Sequence, residues 1–250
     1  MDLHLTGTRV LVTGGTRGIG RAIVEAFLAE GADVAFCARD GDEVSATEVA
    51  LGEHAHGSVA DVGDASRVAS WVAESAEVLG GIDVVVSNVS ALAIADTEAN
   101  WETSLNVDVM GTVRLVKAAL PHLRASGAGC ILAISSVSGR EVDFAAGPYG
   151  TAKAALVHYM SGLAFQLAGS GIRANTVSPG NTMFPGGVWD SMQRDNPDFF
   201  AEALALNPTG RMGTPADTAN AVVFLASPVS GRTSGAHLVV DGALTRGVQL

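Results

Sequence analysis

Apolar residues in this chain fall into short runs separated by longer stretches with helical spacing. The runs at 9–13, 33–38, 54–59, 82–87, 130–135, 173–178 and 236–240 read as buried strands. Amphipathic patterns lie between them, notably over 101–126 and 149–168, and predict helices. Alternation of this kind predicts an α/β protein with a parallel sheet and helices on both faces. No repeat, low-complexity tract or linker divides residues 1–250, so a single domain is expected. The stretch 181–207 stands outside the alternation. It carries Met183, Phe184, Trp189, Met192, Phe199, Phe200 and Leu204, the pattern of a helical flap with an apolar underside.

Composition narrows the class. A chain of 250 residues with 48% hydrophobic content can bury a large core. No apolar run approaches the ~20 residues of a membrane span. Met1-Asp2-Leu3-His4 lacks the charged and apolar regions of a signal peptide, and a cytoplasmic protein is expected. The formal charge of −11 argues against nucleic acid and anionic membranes as partners. Cys37 and Cys130 sit in apolar strand contexts and read as buried thiols. His54 and His56 could share one strand face, but nothing nearby completes a metal site, and none is expected.

The chemistry begins at Tyr149-Gly150-Thr151-Ala152-Lys153. The chain has two Tyr, and two Lys against thirteen Arg, so an ammonium four residues from a phenol is conspicuous. Positions i and i+4 share a helix face. A free phenol has a pKa of about 10 and is a poor acid–base catalyst at neutral pH. A neighbouring cation favours the phenolate. Bringing the phenol near pH 7 takes about 4 kcal/mol of differential interaction.

Three further sites join this pair. Thr13-Gly14-Gly15-Thr16-Arg17-Gly18-Ile19-Gly20 lies between the strand Val10-Leu11-Val12 and a helical pattern over 22–28. A glycine-rich turn in that setting lets a pyrophosphate approach the N–H groups at a helix N-terminus. Ser136 ends the apolar run that starts at Cys130, at the carboxyl end of a strand, where open parallel sheets bind ligands. Asn106 is an amide inside an apolar helical pattern and needs partners if buried.

With these motifs the chain resembles the short-chain dehydrogenases/reductases of the single-domain branch, from about Leu5 to Asp241. Further matching segments are Ala60-Asp61-Val62, Ser87-Asn88-Val89-Ser90, Pro179-Gly180 and Leu238-Val239-Val240-Asp241-Gly242. The resemblance implies a doubly wound Rossmann fold with seven parallel strands in the order 3-2-1-4-5-6-7. It implies a catalytic tetrad of Asn106, Ser136, Tyr149 and Lys153. Tyr149 would exchange a proton with the substrate oxygen, and Lys153 would assist it and hold the nicotinamide ribose. Ser136 would orient the substrate, and Asn106 would keep a helix kink and a water leading to Lys153. The cofactor would lie on Gly14, Thr16, Arg17, Gly18, Ile19, Gly20, Arg39, Asp61, Val62, Asn88, Tyr149, Lys153, Pro179, Gly180 and Thr182. The flap at about 181–207 would be a substrate lid. A homotetramer paired through the helices near 101–126 and 149–168 is expected. Two positions depart from the family pattern. Val89-Ser90 stands where Ala-Gly is usual. Thr182 and Phe184 stand where an aliphatic residue and a Thr are usual.

The second strand ends Cys37-Ala38-Arg39. NAD-binding folds place an acid there to accept the ribose 2′-hydroxyl, while an Arg nearby receives a 2′-phosphate. Alignment to the family puts Ala38 at the acid's place and Arg39 next to it, with Arg17 as a second cation. The expected cofactor is therefore NADP(H), and the expected reaction interconverts an apolar small-molecule ketone and its secondary alcohol. Two alternatives share these motifs: a 3-oxoacyl-[acyl-carrier-protein] reductase and a non-catalytic nucleotide-binding protein. The first needs basic residues to dock an acidic carrier. The cations nearest the turns before the fifth and sixth strands are Arg124 and Arg173.

Overall fold

A computed structural model describes residues 2–247. Strands β1 (Arg9–Thr13), β2 (Asp33–Ala38), β3 (Ala55–Val59), β4 (Val84–Ser87), β5 (Cys130–Ile134), β6 (Arg173–Pro179) and β7 (His237–Val240) form one parallel sheet. Its order is β3-β2-β1-β4-β5-β6-β7, as the resemblance implied. The strands start and stop within two residues of the apolar runs.

Side chains alternate across each strand. Leu11, Val85 and Ile131 face one helical layer. It is formed by α3 (Ala65–Leu79), α5 (Gly111–Ser126) and α6 (Pro148–Leu167), with Trp71, Leu115 and Met160 in its core. Val10, Val12, Val34, Val84, Val86 and Leu132 face the other. It is formed by α1 (Gly18–Ala29) and α9 (Pro215–Ala226), with Phe27 and Val222 in its core. Both faces are covered, which is why the strands read as continuous apolar runs rather than as alternating ones. The helix α2 (Gly41–Leu51) follows β2.

The helical pattern over 101–126, for which the resemblance implied a kink at Asn106, is broken at that position. It divides into α4 (Glu98–Ser104), a π-helical turn over Leu105–Met110, and α5. From the first turn of α5 the Thr112 hydroxyl donates to the Asp108 carbonyl oxygen at 2.7 Å. A wide π turn marks functional positions in helices. The flap forms α7 (Val188–Asp195) and α8 (Pro197–Ala205) over a small core of Trp189, Ala203 and Met212.

The order of strands reverses between β1 and β4. Chains leaving the two strands diverge there and open a crevice at their carboxyl ends.

Candidate active site

The crevice holds a cavity of about 850 Å³. One wall is the glycine turn between β1 and α1. Gly14 has φ +73°, a conformation that L side chains rarely adopt. A Cβ on Gly20 would overlap the Gly14 carbonyl oxygen and come within 2.5 Å of Asn88 Nδ2. Asn88 closes the turn from β4. Its backbone N–H donates to Thr13 Oγ1 at 2.9 Å, and its amide donates to the Thr13 carbonyl at 3.0 Å.

The helix ends show what this wall is built to receive. Asp40 caps α2, Asp64 caps α3, Thr97 caps α4 and Thr214 caps α9 through side-chain oxygens. α1 has no side-chain cap, and neither do α6 and α7, which also border the cleft. The first N–H groups of α1 therefore face the cleft without an intrachain acceptor from a cap, and the helix dipole favours an anion there. A pyrophosphate fits this wall.

Of the residues expected to hold the cofactor, Gly14, Thr16, Arg17, Ile19 and Gly20 line the cavity from the turn. Arg39, Asp61, Val62 and Asn88 line it from the ends of β2, β3 and β4. Tyr149, Lys153, Pro179, Gly180 and Thr182 line the far side. Gly18 is set apart, because the Phe184 ring lies where its Cβ would project. That is the physical result of an aromatic residue at 184. The Thr182 hydroxyl donates to the Gly180 carbonyl at 3.0 Å.

Ser136 sits at the end of β5 and is 9% exposed. Its Oγ accepts from the Ser138 N–H at 3.2 Å, so its own O–H is left to donate. Tyr149 lies in the first turn of α6 and Lys153 one turn on. The ammonium is 5.6 Å from the centre of the Tyr149 ring. Lys153 is 2% exposed, and its Nζ donates to the Ile134 carbonyl at 3.1 Å. A buried ammonium needs an anion, and it has one: Asp108 Oδ1 lies 3.1 Å away, fully buried. The contact is off the line of a hydrogen bond, so charge holds it. Asp108 Oδ2 accepts from the Ala91 N–H at 2.9 Å, which fixes the loop after β4.

Asn106 is where the structure departs from the expected tetrad. It is exposed, and its Oδ1 accepts from Arg114 Nη2 at 2.8 Å. Its amide reaches the Gly63 carbonyl at 3.4 Å. It lines the cleft beside Gly63, while the place next to Lys153 belongs to Asp108. Helical spacing carried a signal that residue type obscured. The buried positions run Ser104, Asp108, Thr112, Leu115, Ala119 and Leu123, and Asn106 is off that stripe.

Both thiols are buried. Burial pushes Cys37 up to about 12 and Cys130 up to about 11, which leaves them unreactive near neutral pH.

Above the cleft, Trp189 stacks on Phe199 with ring centres 6.0 Å apart, and Phe144 meets Trp189 edge-on at 5.9 Å. Trp189, Phe184, Leu92 and Val188 give the cavity an apolar roof.

Sheet order, glycine turn and cleft define a protein of the doubly wound, nucleotide-binding class. A family model described as enoyl-(acyl carrier protein) reductase matches residues 14–245. The chain is 41% identical over 255 residues to the isoepoxydon dehydrogenase of Penicillium expansum, covering 98% of this chain and 97% of that protein. Solved structures agree. Levodione reductase superposes with a TM-score of 0.88 at 26% identity, covering 95% of this chain and 97% of that one. An NADPH-bound short-chain oxidoreductase from Pseudomonas aeruginosa PAO1, described as containing an atypical catalytic center, gives 0.88 at 31%, covering 97% and 99%. The chain belongs to the short-chain dehydrogenase/reductase family, whose members bind nicotinamide cofactors.

Proposed function

We propose that the protein is an NADP(H)-dependent oxidoreductase that interconverts a small apolar ketone and its secondary alcohol, with Tyr149 as general acid and base. The observation that carries this reading is the buried Lys153 ammonium beside the Tyr149 ring, with the Ser136 hydroxyl at the adjoining strand end. A bound nicotinamide cofactor supplies the hydride chemistry. Ser136 donates to the substrate oxygen and orients it. Tyr149 gives that oxygen its proton in reduction and takes it back in oxidation. Lys153 has three N–H donors. The Ile134 carbonyl takes one and the Asp108 contact lies off the line of a hydrogen bond, which leaves donors for the cofactor ribose. The lid aromatics exclude water and favour an apolar substrate.

The acyl-carrier alternative is less well supported. The Arg173 guanidinium is spent on the carbonyls of Leu225, Ala226 and Ser227. Arg173 opens β6, and Arg124 lies in the last turn of α5 just before β5, so both sit at the amino ends of strands, away from the cleft. The proposal includes a cytoplasmic homotetramer. Phe165 is 88% exposed on α6, and Leu105 and Met110 are exposed on the π turn, apolar surface that paired helices would cover. A monomer mass by light scattering would contradict it.

Tyr149→Phe tests the reaction. Oxidation of NADPH with a panel of cyclic and linear ketones should fall at least ~10²-fold, the lower range for general acid catalysis. Cofactor binding should persist. Near-normal turnover in Tyr149→Phe would remove the assignment.

A further inference from the structure

Lys153 and Asp108 are the two charged side chains among the buried described residues, and they face each other. The pair joins three segments that build the site. Lys153 comes from α6, Asp108 from the π turn, and the Ala91 N–H bound by Asp108 from the loop after β4. Thr112 takes the Asp108 carbonyl, and its hydroxyl also bonds Ser87 Oγ at 2.8 Å, which fixes the turn to β4. The buried carboxylate is thus held at both its side chain and its backbone.

We infer that Asp108 is the positioning residue for Lys153. Its carboxylate holds the ammonium between the Tyr149 ring and the end of β5, and offsets part of the positive charge that Tyr149 experiences. This rests on the proposed role of Tyr149. Other charged groups on the elements packed around Lys153 are engaged elsewhere. Glu98 and Glu102 of α4 and His158 of α6 are exposed. Asp143, ahead of α6, bonds Ser138 and the Ala145 N–H. Arg140 follows the turn after β5 and bonds Glu141 and the Gly247 carbonyl. Arg173 of β6 bonds the carbonyls after α9.

The charge makes a prediction that a mere packing role does not. A carboxylate beside the ammonium disfavours a second anion on Tyr149, and an amide in its place does not. Asp108→Asn keeps the shape and an acceptor for the Ala91 N–H but removes the charge. The pH midpoint of kcat for alcohol oxidation, which needs the phenolate, should fall by about 1 unit, with the alcohol KM within about threefold of wild type. Asp108→Ala also removes the acceptor. It should weaken NADPH binding about tenfold in a fluorescence titration, because Lys153 loses its anchor.

An unshifted midpoint in Asp108→Asn overturns the proposal. So does a larger shift in Asn106→Ala. If Asp108→Asn does not fold, Asp108→Ser is read for the same shift. Failure of both to fold assigns Asp108 to the scaffold instead and overturns the electrostatic role. The two levels separate cleanly. High activity in Tyr149→Phe removes the reaction assignment itself, whereas an inactive Tyr149→Phe with an unshifted Asp108→Asn removes only the role of Asp108.

Discussion

Cofactor choice gives the sharpest quantitative prediction. Arg17 precedes α1 and Arg39 follows β2, and both line the cleft. Both are exposed, and neither side chain makes a hydrogen bond or ion pair among the described residues. Asp40, the neighbouring acid, also lines the cleft, but its carboxylate is engaged as a helix cap. Its Oδ1 accepts from the N–H groups of Asp42 and Glu43 at 3.0 Å and caps α2. The edge of the proposed adenosine site thus offers two guanidinium groups without a hydrogen bond or ion pair among the described residues, beside an acid already used to cap α2. A charge-assisted bond to phosphate is worth about 1.5–3 kcal/mol, and exposure places these two near the lower bound. Each is then worth about tenfold, and the two together about 100-fold if additive. Arg17→Ala with Arg39→Ala should raise the NADPH Kd about 100-fold and the NADH Kd less than about threefold. Stability should hold, because both side chains are exposed and neither loses a hydrogen bond or ion pair among the described residues. Glu43 tests the sign. Its carboxylate accepts from Thr16 Oγ1 at 3.0 Å on the same rim, so Glu43→Gln should tighten NADPH. Titration of both cofactors by nicotinamide fluorescence, at low and high salt, reads all of this. Equal wild-type affinities, or an unchanged NADPH affinity in the double variant, would refute the assignment.

Gly20→Ala places a methyl against the Gly14 carbonyl and Asn88 Nδ2, so cofactor affinity should fall more than ~10-fold with a loss of about 1–3 kcal/mol of stability in urea denaturation. Trp189→Ala removes a 7% exposed ring from the lid core and should raise the ketone KM about tenfold, with a smaller effect on kcat. An unchanged KM would place the substrate elsewhere. Burial pushes the Asp83 carboxyl up, but bonds from Arg9 and Ser126 outweigh it and hold it below its ordinary range. A depressed carboxyl stabilises above its unfolded value near 4 and loses that contribution as pH falls through the folded value. Asp83→Asn should therefore cost about 1–2 kcal/mol at pH 7, and the difference from wild type should close as pH falls through the folded value. A gap that persists at low pH would mean packing, not charge, links Arg9 to Asp83.

The sequence alone carried the sheet, because each strand is buried on both faces and so leaves a continuous apolar run. It also carried the glycine turn, Ser136, and the Tyr149–Lys153 pair, since those depend on spacing within one element or at its end. What it did not reveal lies where a side chain's meaning depends on a distant segment. Asn106 and Asp108 are two residues apart in one helical pattern, and residue type favoured the amide. Only the packing of the π turn against α6 and the loop after β4 turns Asp108 inward to Lys153 and Asn106 outward to Arg114. Phe184 is similar, since nothing local to it says that its ring covers Gly18 more than 160 residues earlier. Periodicity fixes which residues share a face of one element. Which face meets which charge is decided when the elements pack, because an ammonium taken out of water must find its anion in three dimensions.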